Sequence, residues 1–193
     1  MKLENAFDVP LPPEEAWRVL LDIPRVAPCL PGAELTETVD ARTYKGKVAA
    51  RLGPVAVSFA GTARMEEIDE AGRRVRVKAT GTEQKGRGGA QAAVEFSLKP
   101  AGPRMTHVSI VTDLTLNGAV AQYGRGAAMI ADVAQQMVDK FAAALKVQIE
   151  GSDAEKRAAA AEAAKGVSGV TLILGALWRA VKRLFGAGPR TAG

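Results

Sequence analysis

From Ala33 to Asn117 the apolar residues of this chain recur at every second position, an alternation that fits half-buried strands and excludes a helical run. One parity holds Tyr44, Val48 and Leu52, then Val55, Val57, Phe59 and Met65, then Val75 and Val77, then Val94, Phe96 and Leu98, and last Val108, Ile110, Leu114 and Leu116. The positions between carry Lys45, Lys47, Arg51, Arg76, Lys78, Glu95 and Lys99, so one sheet face is expected to meet water. Turn residues at Gly53-Pro54, Glu70-Ala71-Gly72, Gly86 to Gly89 and Ala101-Gly102-Pro103 divide the run at the spacing of an antiparallel meander. A sheet with one apolar face needs a cover. The stretch from about Gly126 to Ile149 supplies it, with Met129, Ile130, Val133, Met137, Phe141, Leu145 and Ile149 at spacings of three and four on one side of a long helix.

Three smaller elements precede the strands. Leu3, Asn5, Phe7 and Val9 alternate in a first strand that ends at Pro10. Pro13-Glu14-Glu15 then opens a helix with proline in its first turn and acids near the positive end of its dipole, and Trp17, Leu20 and Leu21 form its buried side. Pro24 and Pro28 break the chain into a second short helical turn that finishes at Cys29-Leu30-Pro31-Gly32. With 193 residues, 47% of them hydrophobic, there is material for one well-formed core and little for a second. Aromatic residues are only 5%, so Val, Leu, Ile and Ala must fill it.

This order of elements resembles the helix-grip fold of START and Bet v 1-like lipid-binding proteins (the SRPBCC superfamily), an α+β arrangement in which a curved antiparallel sheet packs on a long C-terminal helix. Within that superfamily the chain is similar to the carbon monoxide dehydrogenase G-subunit family. The resemblance covers about residues 1 to 149 and rests on the opening strand, the Pro13-Glu14-Glu15-Ala16-Trp17 helix start, the Cys29-Leu30-Pro31-Gly32 turn and the Gly/Lys-rich connection before Ala90. It implies association with the catalytic subunits of a molybdenum-containing hydroxylase that oxidises a small molecule such as CO, in an accessory role.

The residues themselves argue for a cavity. Gly46, Gly61, Ala63, Ala79, Gly81, Ala90 and Ala92 share the parity of their strands' apolar positions, where a filled core would have bulk. The other account is that the glycines let the sheet bend and the alanines pack tightly against the helix, since interiors are normally close-packed. For the wall of a ligand-binding cavity the inward parity and the helix stripe nominate Phe59, Val77, Phe96, Leu114, Met129, Val133 and Met137.

Three segments are expected: a helix-grip domain over 1–150, an Ala-rich charged spacer over 151–166, helical and solvated, and an amphipathic tail over 167–193. The net charge is +5, yet the tail holds four basic side chains and no acidic one, which leaves the rest at +1. No interleaving of aromatic and basic residues points to nucleic acid, so an anionic membrane surface is the better partner for the charge. On a helical projection Ile173, Leu174, Leu177, Trp178, Val181, Leu184 and Phe185 share roughly 140° of arc, opposite Arg179, Lys182 and Arg183. Such a helix lies in the interface; the uncharged run Gly166 to Trp178 falls short of the ~20 residues needed to span a bilayer. The alternative is a C-terminal helix docked on its own domain. The start, Met1-Lys2-Leu3-Glu4-Asn5, has no apolar signal-like region, so the protein is expected in the cytoplasm, peripheral at the inner face of the cell membrane.

Groups for catalysis are scarce. His107, the single histidine, falls on the solvent-facing parity, and Cys29, the single cysteine, has no second thiol for a disulfide or a metal site. Asp113 shares the face of His107 but stands ~20 Å along the strand. Lys85-Gly86-Arg87-Gly88-Gly89 lies between strands and opens no helix, so it is expected as a flexible hairpin and not as a phosphate loop. The sequence therefore describes a carrier and not an enzyme, and the cavity, tail and resemblance together point to a lipophilic electron carrier, a membrane quinone such as menaquinone or ubiquinone, bound without a covalent link. Two alternatives stand beside it: a membrane anchor or assembly factor for the dehydrogenase with an incidental cavity, and a cyclase-like enzyme of the same fold.

Overall fold

The computed structural model describes residues 1–52 and 55–164, so the turn at Gly53-Pro54 and the tail 167–193 with all its expected membrane-binding residues lie outside the described residues. Seven antiparallel strands form one sheet: β1 (Lys2–Val9), β2 (Ala33–Thr38), β3 (Thr43–Leu52), β4 (Val55–Asp69), β5 (Arg74–Glu83), β6 (Gly88–Gly102) and β7 (Met105–Gly118). Their order is β1-β7-β6-β5-β4-β3-β2, so six consecutive strands meander and β1 returns beside the last. Between β1 and β2 lie α1 (Pro13–Leu21), α2 (Ile23–Val26) and a 3₁₀ turn (Ala27–Cys29); after β7 come a 3₁₀ segment (Ala119–Arg125), α3 (Ala127–Glu150) and α4 (Asp153–Ala164). This is the START/Bet v 1-like helix-grip arrangement that the sequence predicts, with α3 laid across the concave face of the sheet.

The concave face has two halves. In one, α1 and the C-terminal part of α3 close on the sheet: Trp17, Leu20, Met65, Val75, Leu98, Val108 and Leu145 are buried together, with Phe96, Ile110 and Ile149 packed against them. Phe7 of β1 meets Phe141 of α3 edge to face at 5.5 Å, the geometry the ring quadrupoles prefer. Thr106, fully buried, donates its hydroxyl to the Leu11 carbonyl at 2.8 Å, so the polar group there has its partner.

In the other half the strand register aligns small residues across the sheet. Gly46 of β3 pairs with Gly61 of β4, Gly61 with Gly81 of β5, and Gly81 with Ala90 of β6. The next inward row runs Tyr44, Ala63, Ala79, Ala92, Leu114. A Cβ on Gly61 would collide with the Thr80 carbonyl oxygen, and one on Gly46 would come within 2.7 Å of the Glu34 carbonyl oxygen. Here the glycines are required by close approach of neighbouring backbone, which lets the sheet coil tightly.

The connection between β5 and β6 is the expected hairpin, and its turn is pinned. Glu83 is only 2% exposed, and its carboxylate accepts from the Lys85 amide at 2.8 Å, the Arg87 amide at 3.3 Å and the Arg87 guanidinium at 2.7 Å. Arg87 also donates to the Ala56 carbonyl at 2.9 Å, and its own carbonyl accepts from the Val120 amide at 2.9 Å. Gly86 and Gly88 take φ of 72° and 128°, values that L side chains rarely adopt, to turn the chain through this latch.

The stretch 151–166 does form a helix as far as Ala164. Ser152 and Glu155 cap it reciprocally: the Ser152 amide donates to the Glu155 carboxylate at 2.8 Å and the Glu155 amide faces the Ser152 hydroxyl at 3.5 Å. The helix does not stand away from the body as a solvated spacer would. It packs back along α3, Ala163 is buried, and the Gly32 amide donates to the Ala163 carbonyl at 2.8 Å.

Two outcomes follow from this packing. Gly61→Ala should destabilise the fold by ~1–3 kcal/mol through backbone collision, measured as a shift in the denaturant midpoint. The guanidinium of Arg87, with the two amides, holds the Glu83 carboxyl down to about 2. A depressed folded value means the charged latch contributes fully above the ordinary 4.5 and loses its contribution as pH falls towards 2. Glu83→Gln should therefore be less stable than wild type at neutral pH, with the difference shrinking over that acid window; a pH-independent difference would contradict the assignment.

Candidate functional site: an apolar cavity

Where the small residues align, the sheet and α3 leave a cavity of about 470 Å³ between them. Its volume falls in the ~300–1,000 Å³ range of small-molecule sites. All seven small residues read from the inward parity, Gly46, Gly61, Ala63, Ala79, Gly81, Ala90 and Ala92, lie in its wall. Val48, Val57, Leu116 and Val120 add bulk at the sheet side, and Ile130, Val133, Ala134 and Met137 face it from α3. Ile23, Ala27 and Leu30 close the corner between α2 and β2. The lining is almost wholly apolar.

Four of the residues nominated for this wall are there: Phe59, Leu114, Val133 and Met137. Val77 and Phe96 are not; both pack against the buried core in the other half of the concave face. Inward parity is the same in both halves, so it cannot tell a packed wall from an empty one. The cover can: α1 and the C-terminal part of α3 close over Val77 and Phe96, whereas Phe59 and Leu114 lie where the small residues leave a gap. Met129 is also outside the lining. It sits one position, or about 100° of helix, from Ile130, and the cavity-facing set is Ile130, Val133, Ala134 and Met137.

Tyr44, Glu34, Lys45 and Lys47, which lie at the cavity's edge, each have a partner. Tyr44, buried at its edge, donates its hydroxyl to the Ala41 carbonyl at 3.0 Å, and burial pushes its phenol pKa up. Glu34, Lys45 and Lys47 line the outer edge on β2 and β3, where Lys45 meets Glu37 at 3.0 Å and Lys47 meets Glu34 at 3.6 Å. The latch of Glu83 and Arg87 stands just past Phe59, which pairs with Glu83 across β4 and β5.

Elsewhere the chemistry is surface chemistry. His107 lies on the outer face, half exposed, with Nδ1 at 2.8 Å from the Asp8 carboxylate. That partner is directly opposite on β1, a neighbour that no spacing along the chain reveals. Cys29 is buried at the end of the 3₁₀ turn, and desolvation raises its thiol pKa, which makes it a poor nucleophile. Among the described residues no group of three or more His, Cys, Asp or Glu side chains could hold a metal ion, and no helix is long and apolar enough to cross a membrane.

Comparison with solved structures bears on this geometry. A conserved protein from Geobacillus kaustophilus shares 20% identity at a TM-score of 0.65, over 78% of this chain and 94% of that one. A START superfamily protein from Mycobacterium smegmatis shares 17% identity at a TM-score of 0.50, over 77% and 97%. A truncated norcoclaurine synthase from Thalictrum flavum shares 13% identity at a TM-score of 0.51, over 74% and 91%. At these identities the likeness is one of fold, and a synthase among them means that the fold by itself does not separate carrier from enzyme. A comparison with curated proteins found no match. The family profile for the G subunit of carbon monoxide dehydrogenase (CoxG) matches residues 6–150, well over half of the sequence and nearly all of the cavity wall, and the chain belongs to that family.

Proposed function

We propose that this protein is a non-enzymatic carrier that shelters a membrane quinone, menaquinone or ubiquinone, in its cavity and serves a molybdenum-hydroxylase-type carbon monoxide dehydrogenase. The observation that carries the reading is the wall of glycine and alanine on the concave sheet: a 470 Å³ space with an apolar lining suits hydrocarbon and little else. Membership of the CoxG family supports the choice of enzyme to be served. A soluble dehydrogenase that must pass electrons to an acceptor dissolved in the bilayer needs either a carrier for that acceptor or a means of reaching it. The segment 167–193, with its apolar and basic faces, supplies attachment to the anionic inner surface of the membrane by summing burial with charge.

The same features bear on catalysis. A cyclase-like enzyme needs polar groups aimed into its cavity, and the described lining supplies hydroxyl and charged groups only at its edge or on the outer face of the sheet.

Filling the cavity tests the carrier directly. Ala92→Phe should abolish retention of quinone, read by mass spectrometry of organic extracts, while costing less than the ~1–3 kcal/mol of an overpacked core. Quinone reduction by the partner dehydrogenase in the presence of liposomes should fall to the level without this protein. If Ala92→Phe loses its quinone and the rate is unchanged, the protein is a tether and not a carrier. Attachment is separable: a chain ending at Ala164 should keep the cavity and lose sedimentation with anionic liposomes. In the full chain, changing Arg179, Lys182 and Arg183 to Glu should weaken that binding by at least ~1 kcal/mol per residue.

A further inference from the structure

We infer that the cavity recognises the hydrocarbon chain of its ligand and not the polar head group, so that a quinone ring bound through its chain stays at the rim, open to water. This rests on the reading of the cavity as a lipophilic-ligand site and says which part of the ligand that site selects.

A quinone ring carries two carbonyl oxygens, and each must find a donor if it leaves water. The described lining residues with hydroxyl or charged side chains are Glu34, Tyr44, Lys45, Lys47, Thr62 and Thr80. The Tyr44 hydroxyl is committed to the Ala41 carbonyl. Thr62 and Thr80 pair with each other in the ladder between β4 and β5, on the parity opposite to Gly61, Ala63, Ala79 and Gly81, so their hydroxyls belong to the outer face. Lys45 and Lys47 are exposed and pair with Glu37 and Glu34. The backbone amides of the central strands are engaged in the sheet. At the far end, Arg87 is held by Glu83 and the Ala56 carbonyl. A ring drawn inside would therefore bury both oxygens without donors, whereas a chain of methylene and methyl groups meets a wall of matching character.

A carrier built this way is selective for chains and indifferent to rings, and it offers the ring to a reductant without releasing the chain.

The test uses the full-length protein carrying a fluorescent lipophilic probe, with release from Ala92→Phe showing that the probe sits in the cavity. Three competitors are titrated: a polyprenol without a ring, a quinone bearing the same polyprenyl chain, and menadione, a naphthoquinone ring without a chain. The polyprenol and the quinone should displace the probe at similar concentrations, and menadione should need on the order of 100-fold more. Menadione competing as well as the long-chain quinone, or polyprenol failing where the quinone succeeds, would overturn the inference. Failure of all three against a probe that Ala92→Phe does release would overturn the lipophilic-site reading as well. A second readout is independent of affinity. Dithionite supplies two electrons and water two protons to convert quinone to quinol, and quinone bound to the protein should be reduced as fast as quinone in detergent; a ring shielded from dithionite lies inside, and the inference fails.

Discussion

The close approach of β4 to β5 at Gly61 is the contact on which the site depends. Because a side chain there would collide with the Thr80 carbonyl, the strands can coil over one another only where Cβ atoms are missing. The register places glycine on three successive strands, Gly46, Gly61 and Gly81, and follows them with the single methyl of Ala90 on the fourth. One absence has two effects: it allows the curvature that wraps the sheet towards α3, and it removes the bulk that would otherwise fill the space beneath. The two accounts of these small residues, bending and cavity, are the same account.

A protein that keeps such a space must find its stability elsewhere. If the coefficient for residual core cavities, about 24 cal/mol per Å³, held for 470 Å³, the loss would be on the order of 10 kcal/mol, comparable with the ~5–15 kcal/mol net stability of an ordinary domain. That figure is a ceiling for a sealed void, yet it shows why the concave face is divided. The half bearing Trp17, Leu98, Val108 and Leu145 holds the buried core, and the Glu83–Arg87 latch pins the turn beyond the other half. It also means that any apolar occupant would stabilise the fold by restoring contacts the wall lacks, which would link binding to the folded state.

Most of this architecture is legible in the sequence because period-two and helical patterns survive wherever one face is buried. The meander, the opening strand, Pro13 in the first turn of α1 and the stripe on α3 all carry such a pattern, and so do the small residues of the cavity wall. Position along the strand does not. Val77 and Phe96 obey the same parity as Ala79 and Ala92, and only the packing of α1 and the end of α3 over them decides that they are core. Met129 shows the angular limit of a stripe argument, since neighbours 100° apart can both look inward. The Asp8–His107 pair and the return of α4 are long-range facts with no local periodicity. The start of α4 does have a local signal, separate from any apolar stripe: Ser152-Asp153-Ala154-Glu155 is a capping box.

The return of α4 also sets where the described chain ends relative to the cavity. A solvated spacer, fully helical over 151–166, would have let the tail reach ~24 Å away from the body. Instead Ala163 is hydrogen-bonded to Gly32, and Leu30 and Ala33 on either side of that turn line the cavity. α4 therefore ends beside the cavity wall. Under the carrier proposal, membrane attachment through the segment that follows would favour this corner, formed by α2, the 3₁₀ turn and β2, as the place where a hydrocarbon chain passes between bilayer and cavity, because the main barrier to such transfer is the exposure of apolar surface on the way.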